Sequence, residues 1–263
     1  MDQRAALTLY DEQVRRNPHP ADPGARVERE PQLTRVVCEP GGWTGVCWSA
    51  LEGQDVDRVI AEQISRFADF PAEWEWKHYS YDGPPELPDR LLAHGFRAGE
   101  PETLLAAEIA ELKLEVELPP GVELELIHDV QGAEALVRMQ DEVFGSGRPG
   151  MAEALAAGIL SDPPAAAGLA AIAGGRPIAG GRVEFEPYCD FAGLWGGATV
   201  PQWRGQGIFR ALVAWGVGLA AERGYRYVQV DAAPTSRPIL ERMGFLELAV
   251  TTPFTYERSL TRP

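Results

Sequence analysis

Residues 199–212 read Thr199-Val200-Pro201-Gln202-Trp203-Arg204-Gly205-Gln206-Gly207-Ile208-Phe209-Arg210-Ala211-Leu212. The pattern predicts the end of a strand, a tight glycine loop and the start of a helix. Gly205 and Gly207 let the backbone turn sharply, so successive N–H groups can point into one cavity. The first amides of the helix have no internal partners and sit at the positive end of its dipole. Together they form an anion site suited to a pyrophosphate. Taken alone, a Gly-x-Gly is as readily a packing turn. The Walker and Rossmann readings fail here. No Gly-Lys-Ser/Thr follows the loop, and no repeated strand–helix unit with a placed ribose acid stands out.

On the C-terminal side, Ile208 to Glu222 reads as a helix with Ile208, Leu212, Trp215 and Leu219 on one stripe and Gly224 as its C-cap. Tyr225 to Val230 is a strand, Ser236 can cap a helix from Arg237 to Met243, Gly244-Phe245 ends it, and Leu246 to Tyr256 gives the last strands. On the N-terminal side come strands at Glu123–Ile127, Ala167–Ala173, Pro177–Phe185 and Phe191–Val200, and helices at Gln131–Val143 and Met151–Leu160. Leu118-Pro119-Pro120-Gly121 reads as a linker, dividing the chain into 1–118 and 119–263. Before it, Arg4–Arg16 and Asp55–Phe67 are helical, and Asn17–Pro31 reads as loop. Leu33–Cys38, Gly45–Ala50, Trp74–Tyr81 and Thr103–Ile109 read as strands, and Glu86–His94 is a short helix closed by Gly95. Strand, short helix and Gly-Phe therefore occur twice, ending at Gly95-Phe96 and at Gly244-Phe245, each after a longer helix. The repeat predicts two copies of one architecture.

The run strand, Arg-Gly-x-Gly-Ile, helix, strand, short helix, Gly-Phe resembles the GNAT superfamily of acyl-CoA N-acyltransferases, over about Glu123 to Arg258. The resemblance implies an α/β (α+β) chain of two GNAT-like halves with mixed twisted sheets, the second carrying the acyl-CoA loop. It implies acetyl-CoA as cosubstrate, with pyrophosphate on the amides of Arg204, Gly205, Gln206, Gly207, Ile208 and Phe209. Phe209 departs from the family's Gly or Ala at that place. Ala198, Thr199 and Val200 would meet the pantetheine arm where two strands splay. The implied reaction is direct attack of a primary amine on the thioester, with a base for the amine proton and an acid for the thiolate. The family's tyrosine acid, four residues before the Gly of Gly-Phe, is Leu240 here, which leaves Tyr188, Tyr256 or water for the role. As base, Asp231 ranks ahead of Glu184 and Glu186. Cys189 has no histidine neighbour in sequence and reads as a structural thiol. Phe144–Met151 and the turn at Tyr188 would build the acceptor pocket, with Trp195 lining it or packed in the core.

In the first half the loop before the helix reads Leu51-Glu52-Gly53-Gln54-Asp55-Val56-Asp57, and its acids would repel a pyrophosphate. That half is expected to be a degenerate copy kept for structure. A net charge of −15 argues against nucleic acid and anionic membrane surfaces. No apolar run reaches the roughly 20 residues of a bilayer span, and no signal peptide opens the chain. With three cysteines in no zinc spacing, the chain is expected in the cytoplasm. His19, His78, His94 and His128 share no ligand spacing, so no metal is expected. The partner is a small-molecule or peptide amine, and a homodimer is left open. The rivals are an inactive CoA-binding regulator and a scaffold without ligand.

Overall fold

The computed structural model describes residues 1–20, 24–38, 42–145, 147 and 149–257. The first half holds α1 (Gln3–Tyr10), β1 (Arg26–Glu30), β2 (Leu33–Val37), β3 (Gly45–Ser49), α2 (Val56–Arg66), β4 (Trp74–Tyr79), α3 (Leu87–Ala93), β5 (Arg97–Ala98) and β6 (Glu102–Glu108). The second holds β7 (Glu123–Ile127), α4 (Val130–Phe144), α5 (Met151–Leu160), β8 (Ala166–Ala173), β9 (Arg176–Glu184), β10 (Phe191–Thr199), α6 (Ile208–Glu222), β11 (Tyr227–Ala232), α7 (Arg237–Met243) and β12 (Leu246–Tyr256).

All the strands join one mixed sheet in the order β1-β2-β3-β4-β12-β6-β11-β10-β9-β8-β7, with β5 beside β12. Two neighbouring pairs are parallel, β3 with β4 and β10 with β11. Both ladders are short: Gly45↔Glu75 and Val46↔Trp76 in one, Phe191↔Tyr227 to Gly193↔Gln229 in the other. Beyond them the strands diverge into two wedges. Three antiparallel steps separate β4 from β11, so the two wedges point in opposite directions.

The halves exchange strands at the centre. β6, from the first half, lies between β12 and β11, while β12, from the second, lies between β4 and β6. The division expected at 118–121 thus falls within one continuous sheet, built by strands from both sides of it.

Alternation along the strands sorts the helices between two faces. Trp74, Trp76 and Phe254 pack with Val59, Ile60 and Leu91 of α2 and α3. Leu105, Ala107 and Val228 pack with Leu212, Val217 and Leu240 of α6 and α7. The intervening residues, Tyr79, Leu104, Ala106 and Phe191, turn to the opposite face and meet Tyr10 of α1. On that face Leu136 and Val137 of α4 and Leu155 of α5 cover Ala170 and Ala198. Among the described residues no helix is long and apolar enough to cross a membrane.

Three elements differ from the sequence reading. Arg26–Glu30, expected to be loop, is the edge strand β1, paired along its length with β2. Its Arg-Val-Glu-Arg-Glu has no apolar face to reveal it, and ion pairs from Arg35 to Glu28 and Glu30 tie it down. The first helix loosens after Tyr10 into a wider helical turn, Asp11–Arg16. Ser236 does not cap α7 with its side chain, and its hydroxyl donates instead to Ala233 O at 3.1 Å.

Candidate active site

At the end of β10 the chain makes a turn of 3-10 helix, Pro201–Trp203, and enters the glycine loop. Gly205 (φ 77°) and Gly207 (φ 84°) both lie in the left-handed region, where a side chain would be strained. Gly207 is the N-cap of α6 and brings no side chain, and the first turn holds no acid. Among the described residues no side chain caps the leading amides of α6, so they have hydrogen-bonding capacity to spare. Arg204 donates Nε to Thr199 O at 3.0 Å, pinning the loop to its strand. Beside it is a cavity of about 710 Å³ lined by Gln206, Gly207, Arg210 and by Glu115, Val116 and Glu117, just before the 118–121 segment. Phe209 is accommodated because its ring lies against Gly197, where a Cβ would stand 2.8 Å from it.

The corresponding place in the first half is already filled. Gly53 turns the chain with φ 74°, but Asp55 then caps α2 itself, accepting from the Arg58 amide at 3.1 Å. The wedge between β3 and β4 is plugged by Arg15, which donates to Cys47 O (3.1 Å) and to both Asp82 oxygens (2.9 and 2.7 Å) and stacks 3.6 Å over Tyr79. An anion would meet a carboxylate at that helix end and a side chain in that wedge.

In the second half the wedge is lined by glycines. Gly196 (φ 65°) sits in a bulge of β10 between Trp195 and Ala198, and its carbonyl accepts from Gln140 Nε2 of α4 at 2.7 Å. Thr199 Oγ1 is buried without a partner among the described residues, so a polar group lying along this strand would satisfy it. The expected pantetheine strand fits on that observation. The Val200 amide is committed to Ile178 O of β9 (2.9 Å) and offers nothing there.

Asp231 lies inside β11, opposite Leu104, rather than past the strand's end. Its carboxylate is 1% exposed, ion-paired with Lys77 of β4, and accepts from Thr251 Oγ1 at 3.4 Å. It faces the wedge, but as a paired anion and not as a free base. Glu184 is likewise committed, accepting from Arg182 Nε at 2.6 Å on the same face. Burial would by itself lower the Lys77 pKa, but Asp231, then Tyr79 and Glu75, outweigh it and hold the amine well above its ordinary range.

Tyr188 is not at the site. It is 88% exposed and lines a cavity of about 320 Å³ with Glu186, Cys189 and the residues Arg223 and Gly224 just after α6. The loop opens the other end of that 15-residue helix, about 22 Å away at 1.5 Å per residue. Glu186 shares the distant cavity, its carboxyl pushed up to about 8 by burial and then by Glu184. Burial, then Glu186, push the Cys189 thiol to about 12, which keeps it protonated. Tyr256 packs against Phe96 and Trp74 under α2 and α3. Leu240 is buried in the core. Of the acceptor loop, Ser146 and Arg148 lie outside the described residues, as does Arg258 at the end of the resemblance; Phe144 is exposed.

Trp195 is half-buried on β10, two residues past the last β10–β11 rung at Gly193. Its indole folds back over Gly193, where any Cβ would collide with Nε1, and Lys77 Nζ lies 5.5 Å from its ring centre. Sequence reasoning missed Lys77, Gln140 and Arg15. The signal for Lys77 was a cation in an aromatic strand, on the same side as Tyr79. Arg15 and Gln140 carried none, since both act across long chain separations. Among the described residues no cluster of three His, Cys, Asp or Glu could hold a metal.

Residues 134–245 match the family model described as the acetyltransferase (GNAT) family. The whole chain is similar in structure to a GCN5-related N-acetyltransferase from Kribbella flavida, at TM-score 0.69 and 16% identity, over 97% of this chain and 95% of that one. It is similar to a functionally unknown conserved protein from Staphylococcus epidermidis at TM-score 0.66 and 12% identity (96% and 99% covered). It is also similar to a tandem GNAT protein from the clavulanic acid biosynthesis pathway at TM-score 0.59 and 14% identity (99% and 95% covered). At such identities the likeness shows the fold alone, and that fold extends over both halves. No curated protein matches the sequence.

Proposed function

We propose that this chain, whose residues 134–245 are a GNAT-family domain, is an N-acetyltransferase that moves an acetyl group from acetyl-CoA to a primary amine. The observation that carries the proposal is the contrast between two equivalent helix starts. α6 begins at a bare Gly207 with no side-chain cap among the described residues, whereas α2 begins at Asp55, which caps its own. The first is built to receive an anion, and the second has built one in. On this reading residues 119–263 bind the cosubstrate, and residues 1–118 are a copy that has lost the capacity.

Arg204 to Phe209 hold the pyrophosphate, and Ala198 and Thr199 guide the pantetheine arm along β10. The amine nitrogen bonds to the thioester carbon and gives up a proton to water, the C–S bond breaks, and the sulfur leaves as a thiol after taking a proton back. The tight β10 bulge at Gly196 and Gly197 lets the acyl group lie against the backbone. With Leu240 buried where the family's acid stands, water protonates the thiolate. The acceptor is a small-molecule or peptide amine, and the work is done in the cytoplasm.

A second reading, coenzyme binding without turnover, draws support from the pairing of Asp231 and from Leu240. Calorimetric titration of acetyl-CoA into wild type and Gly207→Glu, followed by an amine panel, separates the two. Micromolar binding at one site per chain, lost in the variant, supports the site. Turnover then supports the enzyme, and its absence across the panel favours the second reading. No binding by folded wild type sinks both.

A further inference from the structure

Lys77 belongs to the first half of the chain, yet its ammonium stands at the wedge of the second. It is ion-paired with Asp231 of β11 and lies 5.5 Å from the Trp195 ring of β10. Those two residues follow the last rungs of the β10–β11 ladder, Gly193 and Gln229, so Nζ spans the mouth of the wedge on the α4 face. An ammonium has three protons to donate. Among the described residues its hydrogen-bond partner is Asp231, which leaves two protons for whatever enters. The side chain is 18% exposed, enough for a small ligand to reach it. Next to it Glu75 accepts from Trp43 Nε1 at 3.1 Å. Burial raises the Glu75 carboxyl and Lys77 opposes the shift, while Arg182 and Glu184 pair with each other.

This floor therefore offers carboxylates to an ammonium and two N–H donors to an oxygen, beside the Trp195 indole. We propose that Lys77 is a specificity-determining residue of the acetyl-transfer site, binding the carboxylate or carbonyl oxygen of an acceptor whose amine lies next to it: a free amino acid or its amide. The inference rests on the acetyltransferase reading above and names its acceptor. It also gives the first half a chemical part, since that half supplies the cation through the exchanged centre of the sheet. A bare alkylamine would leave the two Lys77 donors to water, and a site built to hydrogen-bond a substrate group discriminates against the analogue lacking it.

The test uses full-length protein and matched acceptors differing by the carboxylate: histidine and histamine, tyrosine and tyramine, lysine and cadaverine, with the amino-acid amides as a third arm. In wild type, kcat/KM for the amino acid or amide of at least one set should exceed that of its decarboxylated amine tenfold or more. Lys77→Met should bring the ratio within twofold and leave acetyl-CoA affinity unchanged. Lys77→Arg, which keeps charge and donors, should retain most of the ratio. Because Lys77→Met strands Asp231 without a partner, Lys77→Met/Asp231→Asn is measured beside it and should lose the ratio too. Equal rates for both acceptor classes, or a ratio that survives in a folded Lys77 variant, overturn the inference and leave the acetyltransferase reading standing. A wild type that binds acetyl-CoA and acetylates none of the set also overturns it. Failure to bind acetyl-CoA overturns the earlier reading first, and this one with it.

Discussion

Leu104 of β6 stands opposite Asp231 of β11 in an antiparallel ladder six pairs long, Tyr227↔Glu108 to Ala232↔Thr103. The last strand of the first half is thus hydrogen-bonded within the sheet of the second, and β12 reciprocates beside β4. Cutting the chain at 118/119 would leave β11 without its neighbour and expose apolar edges on both fragments. We expect neither 1–118 nor 119–263 to fold alone, and the two coexpressed to copurify as a 1:1 complex. Circular dichroism and size-exclusion chromatography of the fragments check this. A cooperative thermal transition in isolated 119–263 would refute it.

The wedge depends on Gly193 as much as on the loop. A Cβ there would collide with Trp195 Nε1 and stand 3.0 Å from Gln229 Nε2, and Gln229 Oε1 is already buried without a partner among the described residues. Gly193→Ala must therefore move the indole off the strand. Gly193 is remote from the α6 amides, so acetyl-CoA affinity should hold within about twofold, while turnover falls by about tenfold, equivalent to about 1.4 kcal/mol. Steady-state kinetics with calorimetry separates the two. A loss of affinity at unchanged kcat would count against this geometry.

The loop was legible because backbone chemistry needs glycines in a short window, and Gly205 and Gly207 stand two residues apart. Most elements were legible from periodicity, and the duplicated Gly-Phe ending exposed the two-copy plan. The strand exchange was not, since a pattern of alternation says that a strand exists but not which neighbours it takes. The acid and base assignments failed for a related reason. Tyr188 is separated from the loop by the length of α6, and Asp231 is neutralised by a lysine 154 residues away. Such pairings are decided by tertiary packing, which short-range pattern does not encode.

The plug in the first wedge should matter to stability. Arg15 is 1% exposed and Asp82 4%, so Arg15→Met leaves a buried carboxylate without its partner. Removing one member of such a pair costs about 3–5 kcal/mol, which urea denaturation would read as a lower midpoint. Arg15→Met/Asp82→Asn should recover a large part of that loss. Neither variant should gain a second acetyl-CoA site, because Asp55 still caps α2.

Glu186 supplies a pH dependence of opposite sign to an ordinary paired carboxylate. Burial, then Glu184, raise it from 4.5 to about 8, and its Oε2 finds no partner among the described residues. The folded chain thus holds a proton that the unfolded chain has released, across the window from pH 4.5 to 8. Folded stability contributed by this group is full below pH 4.5 and falls as pH rises toward 8. Each tenfold difference in proton affinity between the folded and unfolded chain is worth about 1.4 kcal/mol, so the effect is on the order of a few kcal/mol at most. Glu186→Gln keeps the shape and removes the titration. Relative to wild type, it should be stabilised at about pH 9 by about that amount and be nearly neutral at about pH 4.5. Thermal melts of the two proteins across that range should diverge as pH rises, and parallel curves would show that Glu186 is ionised at little cost in the native protein.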